Sequence, residues 1–417
     1  MNFSLGIDFG TSGARAMVID AEGKIQAQAQ YPFAESSNRD LAASWQRVLF
    51  TLIEQIPQEV RKEIKGIAID GTSSTVLLCD RWGKPVTEPL LYNDARGLVV
   101  MERLKAIAPS NQVVLSASSS LAKLLWWEIE QMTAKDYYFL HQADWLAFLL
   151  HGKLGISDYH NALKLGYDPE QLCYPSWMEQ LAITTILPTI IAPGMPVSEV
   201  TTETARHLGL QPNCVVCAGT TDSIAAFLAS GAQQLGEAVT SLGSTLVLKL
   251  LSRNRIDDAR YGIYSHRLGD YWLTGGASNT GGAVLRNFFT DEELESLSSQ
   301  IDSNKESPLD YYPLIRVGDR FPVNDPSLQP KLKPRPTEPV EFLHGLLESI
   351  ARIEARGYQL LQQLGATPLT RVYTAGGGAK NLAWTGIRER HLQVPILPPI
   401  YAEAAYGTAR LARELGI

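Results

Sequence analysis

Gly6-Ile7-Asp8-Phe9-Gly10-Thr11-Ser12-Gly13-Ala14-Arg15 is the stretch on which the fold reading turns. The apolar run LGIDFG ends on a carboxylate and a small, hydroxyl-rich corner, and a second apolar run, RAMVID, follows at once. Strand, tight turn and strand make a β-hairpin with Asp8 near its tip. Gly10 and Gly13 allow the backbone to turn tightly and present N–H groups, to which Thr11 and Ser12 add hydroxyl donors, so such a corner can hold a phosphate. A carboxylate at a strand end can hold Mg²⁺, directly or through water. The same letters also suit an ordinary hairpin with Asp as a turn former, and the local sequence leaves both readings open.

Working outward, KIQAQAQY reads as a third strand, Asp40–Gln55 as a helix, and IKGIAIDG and TVLLCD as two more buried strands. A helix-rich stretch is expected from about Leu98 to Leu187. The strand–loop–helix pattern then returns in VVCAGTTDSIAAFLASG, and a second hairpin follows at AVTSLGSTLVLKLL. Two hairpins of one plan, each followed by helices, indicate an internal duplication, hence an α/β chain of two lobes with a central cleft. Six prolines between Arg316 and Pro339 mark a long irregular loop. A helix over Val340–Leu364, the strand RVYTAG, a GGG corner, another helix, the short strand VPILP and a closing Ala-rich helix complete the pattern. The expected domains are residues 1–231, with 401–417 packing back onto them, and residues 232–400.

A length of 417 residues is ample for two domains, and 45% hydrophobic with 19% charged residues is ordinary globular composition. The net charge of −7 argues against a nucleic-acid partner, which needs a basic face. The start MNFSLGIDFG lacks the basic and apolar regions of a secretory leader, and no window reads as a membrane span. Four cysteines, Cys79, Cys173, Cys214 and Cys217, fit a reducing cytosol. The CxxC at Cys214–Cys217 lies in a strand-like run, where residues three apart face opposite sides, and no second pair completes a site, so it reads as core packing.

Three further segments carry candidate chemistry. Leu242-Gly243-Ser244-Thr245 repeats the small, hydroxyl-rich turn; alone it reads as a plain hairpin, paired with the first as a second phosphate clamp. Gly219-Thr220-Thr221-Asp222-Ser223 places a carboxylate at a helix start, where it serves as an N-cap or as a general base kept ionised by the helix N-terminus. Gly376-Gly377-Gly378-Ala379-Lys380-Asn381 follows a strand with three side-chain-free residues; it admits a flat or charged ligand, and Asn381 offers a donor and an acceptor to a purine or ribose. Trp384 reads as core. No GxxxxGK[ST] or HExxH sequence occurs, and the seven histidines are scattered.

The order GIDFGTSGAR, GTTDSIA, SLGSTLVL, AGGGAKN resembles the FGGY carbohydrate kinases, and SSSLAKLLWWE, ADWLAFLLHGKLGISDYHNALKLGYDPE and VGDRFPVNDP resemble three more of their segments. Trp127 and Ile129 depart from the family's K-L-x-W continuation, and Asp319 replaces its usual Glu. The resemblance implies an actin-like, ribonuclease-H-like ATPase fold and an ATP- and Mg²⁺-dependent sugar kinase. It assigns Asp222 as base and Asp8 to the metal, with both counted as catalytic. It places Asp8, Ser12, Gly13, Ser73, Asp222 and Ser223 toward the sugar. Thr11, Ser12, Gly13, Gly243, Ser244 and Thr245 go to the phosphates, and Gly376, Gly377 and Asn381 to the adenosine. Ile69–Leu77 resembles the D-x-T-x-x-T-V-L of ribulokinases and lacks the Met-His pair of xylulose kinases, which favours D-ribulose, then D-xylulose. Thr72 and Ser73 serve equally as turn residues, and Asp94–Arg96 as an ion pair or a sugar contact. A non-catalytic actin-like ATP-binding or regulatory protein is the alternative of a different class. The oligomeric state is left open.

Overall fold

The computed structural model describes residues 2–33 and 40–413. The chain divides into two compact units, Met1–Ala229 with Glu403–Ile417, and Ser230–Ala402.

In the first unit, β1 (Phe3–Phe9), β2 (Gly13–Ile19) and β3 (Ile25–Pro32) form an antiparallel meander. β4 (Ile64–Gly71) lies parallel to β1, with Asp8 opposite Asp70. Beyond two strands of a separate ribbon, β5 (Val76–Cys79) and β6 (Tyr138–His141), and the edge strand β7 (Pro196–Glu199), the chain returns as β8 (Val215–Cys217), parallel to β4. The sheet order is β3-β2-β1-β4-β8-β7, with the two-residue strand Thr220–Thr221 also paired to β4. β1 is buried at every position, as a strand covered on both faces must be, whereas β3 alternates half-buried and exposed residues at the edge.

Helix α1 (Leu41–Gln55) starts at Asp40, whose side chain accepts from Ala43 N at 2.9 Å, and its periodic stripe Trp45, Val48, Leu49, Leu52 and Ile53 is buried in the core formed with β1 and β4. Further helices before the second unit include α2 (Ser120–Ile129), α3 (Gln142–His151) and α4 (Asp222–Ser230). The last helix of the first unit, α7 (Ala404–Arg413), packs on β1 across Gly6: a Cβ there would lie 2.1 Å from both Ala405 O and Ala409 N.

The second unit repeats the plan. β9 (Glu237–Leu242), β10 (Leu246–Ser252), β11 (Tyr264–Leu268), β12 (Tyr271–Ser278), β13 (Arg371–Ala375) and β14 (Ile396–Leu397) are ordered β11-β12-β10-β9-β13-β14. In both sheets an antiparallel set, three strands in the first and four in the second, is extended from its first strand by two parallel strands, so the duplication expected from the two hairpins is present in the topology. Helices α5 (Pro339–Gln363) and α6 (Leu382–Leu392) pack together beside this sheet.

Residues 98–187 are rich in helix as expected, with Met101–Ile107, α2 and α3, and also hold β6, the strand Ile156–Asp158 and short 3₁₀ turns. TVLLCD holds a buried strand as expected, and it pairs in the β5–β6 ribbon, outside the main sheet. The proline-rich stretch is irregular as expected and is tied down by buried Asp319, which accepts from Ser278 Oγ at 2.8 Å, Asn279 N at 2.7 Å and Tyr312 Oη at 2.6 Å. Among the described residues no helix is long and apolar enough to cross a membrane.

Candidate active site

Three neighbouring strands of the first unit end together. Asp8 on β1 is opposite Asp70 on β4, and Asp70 is in turn opposite Thr220, two residues before Asp222. The parallel register therefore gathers carboxylates that are 62 and 152 positions apart in the chain (70 − 8 and 222 − 70). Carboxyl ends of parallel strands are where open α/β sheets bind ligands.

Asp8 is 5% exposed and Asp70 fully buried. Burial, with the charges of Asp222 and Glu403, pushes Asp8 up to about 6, against a hydrogen bond from Asp70 and the Arg15 guanidinium 3.8 Å away. Burial and the charge of Asp8 push Asp70 well above the carboxylate range, against a hydrogen bond from Thr408 of α7. The register thus sets two buried carboxyls side by side, both raised chiefly by burial. Asp222 is the first residue of α4, and its Oδ1 accepts from Ser223 N at 2.7 Å. Thr220, just before it, is held by His160 Nδ1 on its hydroxyl at 2.7 Å and by Asn161 Nδ2 on its carbonyl at 3.1 Å.

The raised Asp8 value has a stability consequence in chelator. The folded protein keeps this proton to about pH 6, while the unfolded chain releases it near 3.8. Between those values the native state binds more protons, so the Asp8 contribution to stability falls as pH rises through that window and is level above it. Asp8→Asn removes that slope. Urea unfolding of both proteins from pH 4 to 7 in EDTA checks it, and parallel curves contradict it.

Mg²⁺ commonly uses one or two carboxylates and completes its shell with water and phosphate oxygens. Among the described residues no group of three His, Cys, Asp or Glu side chains is placed to hold a metal alone. Asp8, backed by Asp70, whose Oδ1 is buried without a partner among the described residues, fits the sparser mode. Cys214 and Cys217 are buried in separate apolar clusters, and burial pushes both thiols up to about 12, consistent with packing.

Thr11 and Ser12 are exposed at the β1–β2 turn, which Gly10 N closes onto Gly13 O at 3.0 Å. Gly13 is required by proximity: a Cβ would sit 2.8 Å from Tyr31 O of β3. Ser73 is half-buried in the turn after β4, two residues beyond Gly71. Further along, a cavity of ≈ 490 Å³ is lined by Leu41, Glu88, Leu91, Asn93, Asp94 and Arg96. Asp94 and Arg96 form an ion pair at 3.1 Å and also line that cavity.

The second unit has its own cavity, ≈ 630 Å³, lined by Leu242, Gly282, Arg286, Gly377, Asn381 and Leu382 among others. Leu382 is 84% exposed and offers an apolar face, while the Gly377–Gly378 backbone and Ser298 supply polar edges, a combination suited to a flat heterocycle. Gly376 has φ +85°, and a Cβ would lie 2.7 Å from Leu242 O, so this corner demands glycine. The β9–β10 turn, Gly243–Thr245, is held by Gly282 N on Gly243 O at 2.8 Å and Ala283 N on Ser244 O at 3.1 Å. Asn381 lines the cavity but is already engaged: its Oδ1 caps α6 through Trp384 N at 2.9 Å and its Nδ2 donates to Ser298 Oγ at 2.8 Å. Trp384 is 1% exposed, a core residue that edges the cavity.

Sequence reasoning missed Asp70, Thr408, Arg286 and the Gly281–Gly282 pair as site elements. Asp70 did carry a signal, since it closes an apolar strand as Asp8 does.

The sequence model of the N-terminal domain of the FGGY family of carbohydrate kinases matches residues 3–229. A xylulose kinase of Staphylococcus epidermidis is 22% identical over 421 residues, covering 94% of this chain and 83% of its own. A ribulokinase of Shouchella clausii is 24% identical over 306 residues, covering 60% of this chain and 54% of its own. The crystal structure of xylulose kinase from Rhodospirillum rubrum superposes with a TM-score of 0.86 at 22% identity, covering 100% of this chain and 90% of that one, and so shares the actin-like fold. With more than half of its length matched by the family model, the chain belongs to the FGGY family of carbohydrate kinases and is a phosphotransferase acting on an alcohol group.

Proposed function

We propose that the chain phosphorylates a ketopentose, D-ribulose by preference, with ATP and Mg²⁺, in the cytoplasm. FGGY kinases use ATP as phosphate donor. The observation that carries the reading is the convergence of Asp8, Asp70 and the Asp222 strand end at one edge of one sheet.

Asp222 accepts the proton of the acceptor hydroxyl as its oxygen bonds to the γ-phosphorus. The bond from that phosphorus to the bridging oxygen breaks, and ADP leaves. The helix start keeps the Asp222 carboxylate ionised for this task. Asp8 holds Mg²⁺, which when bound neutralises phosphate charge. Thr11, Ser12 and Gly13, with Gly243, Ser244 and Thr245, donate to phosphate oxygens; phosphoryl transfer needs mainly such positioning and neutralisation. Gly376, Gly377 and Asn381, beside exposed Leu382, take the adenosine. Ser12, Gly13, Ser73 and Ser223 join the two aspartates around the sugar.

D-ribulose is favoured by the Asp70–Leu77 segment, which is rich in hydroxyls and lacks a Met-His pair. D-xylulose, its C3 epimer, is the second reading, supported by the names of relatives such as the Staphylococcus enzyme. Sites built to hydrogen-bond one hydroxyl discriminate strongly against an analogue that misplaces it. The test is coupled ADP release with Mg-ATP and D-ribulose, D-xylulose, L-ribulose, ribitol or glycerol. The highest kcat/KM for D-ribulose is expected; a clear preference for another member overturns the sugar assignment.

A further inference from the structure

Lys123 lies on α2 with none of its surface exposed. A lysine is almost never found so deeply buried unless its ammonium is engaged. Its Nζ donates to Ser74 O at 2.7 Å and to Leu91 O at 2.6 Å. These two carbonyls belong to different segments, the turn after β4 that carries Thr72 and Ser73, and the segment that opens the ≈ 490 Å³ cavity. Hydrogen bonds from a charged donor in a low-dielectric interior are among the strong ones.

The turn depends on such a tie. Ser74 is left-handed, with φ +67°, a conformation that a non-glycine residue keeps only when its surroundings enforce it. Its own hydroxyl is buried and has no partner among the described residues, so the Ser74 side chain does not fix the shape. Two further bonds converge on the same place. Tyr92 N donates to Thr75 Oγ1 at 3.0 Å, and Thr72 N donates to Gln142 Oε1 at 3.1 Å. Thr75 Oγ1 also meets Thr72 Oγ1 at 2.5 Å. The turn and the cavity segment therefore form one cross-braced unit, with Lys123 as its buried strut. Burial draws the ammonium down to about 7, opposed by the charge of Asp94.

We propose that Lys123 is a positioning residue for the acceptor: through the Ser74 and Leu91 carbonyls it fixes the spacing between the Thr72–Ser73 hydroxyls and the Leu91–Arg96 wall, and thereby sets sugar affinity and epimer discrimination. The inference rests on the proposed placement of the sugar in the first unit. Telling C3 epimers apart requires hydroxyl partners held within fractions of an ångström, which a turn and a wall provide only when locked together. The residues assigned to adenosine lie in the second unit and owe nothing to Lys123.

The test compares wild type with Lys123→Met, which keeps the apolar stem and removes both donors, by steady-state kinetics with D-ribulose, D-xylulose and ATP each varied. Expected is a sugar KM raised about tenfold or more, a D-ribulose to D-xylulose preference drawn toward one, and an ATP KM within about twofold of wild type; tenfold corresponds to the loss of about one charged hydrogen bond. An unchanged sugar KM and preference overturns the proposal, as does a parallel loss in sugar and ATP parameters. Thr75→Val cuts the Tyr92 tie from the other side at nearly the same volume; it is predicted to give the same split and carries the test alone if Lys123→Met does not fold. A wild type that prefers another acceptor in the panel contradicts the pentulose reading only, and the split is then read on that acceptor.

Discussion

Asp222→Ala lowers kcat by about 10²–10⁴-fold, the range general-base catalysis supplies, and leaves the KM for ATP close to wild type. The acceptor hydroxyl must lose its proton as its oxygen meets the phosphorus, and at neutral pH it does not do so unaided. Asp222 stands at the start of a nine-residue helix, one position after the two-residue strand paired to β4, and Ser223 N donates to its Oδ1. These placements stabilise its anion and fix its direction. Asp222→Asn, which keeps the shape and most of the hydrogen bonding, is expected to lose as much activity as the alanine. Coupled ADP release under saturating sugar measures both. An asparagine variant with more than about a third of wild-type kcat would assign Asp222 the helix-capping job alone.

Arg388→Met destabilises the second unit by about 3–5 kcal/mol, the cost of leaving one partner of a buried ion pair uncompensated. Arg388 and Glu354 are both fully buried and joined by two bonds, Nε to Oε2 at 2.6 Å and the second guanidinium nitrogen to Oε1 at 2.8 Å. Further polar groups surround the pair. Arg388 also donates to Thr374 Oγ1 at 2.8 Å, and Thr240 Oγ1 donates to Glu354 Oε1 at 2.5 Å while contacting Tyr358 Oη at 2.8 Å. Thr240 and Thr374 face each other on β9 and β13, the two strands that lead into the Gly243–Thr245 turn and the Gly376 corner. The network thus pins α5 and α6 to the strands that carry the proposed nucleotide residues. By calorimetry the transition of this unit should fall by about 6–20 °C, the shift such a loss produces in a body of this size. The double variant Arg388→Met with Glu354→Leu should recover most of the loss, because no charge is then stranded; no recovery would place the defect in packing.

How much of this was legible beforehand follows from what each feature depends on. The two hairpins were readable because strand, small turn and strand are local patterns, and their repetition implied the duplicated sheet. Asp8 and Asp222 were readable as candidates because a carboxylate beside glycines or at a helix start is also a local signal, while their roles came only from the family resemblance. Asp70 was not, although it ends its strand as Asp8 does, because its meaning depends on β4 lying parallel and in register beside β1, which nothing in either segment states. Lys123 was visible only as one letter of a family-like segment; its burial and its two carbonyl partners are tertiary facts. The bonds of Asn381 to Trp384 and Ser298 were not readable, because they appear only once α6 is placed.

The most direct measurement is the initial rate of ADP formation from Mg-ATP with and without D-ribulose, paired with ³¹P detection of a sugar phosphate ester. Sugar-dependent ADP release, matched one-to-one by ester and abolished in Asp222→Asn, is the predicted result. ADP release that ignores every sugar offered, with no ester formed, would contradict the assignment of this carboxylate-lined sheet edge to phosphoryl transfer onto a ketopentose.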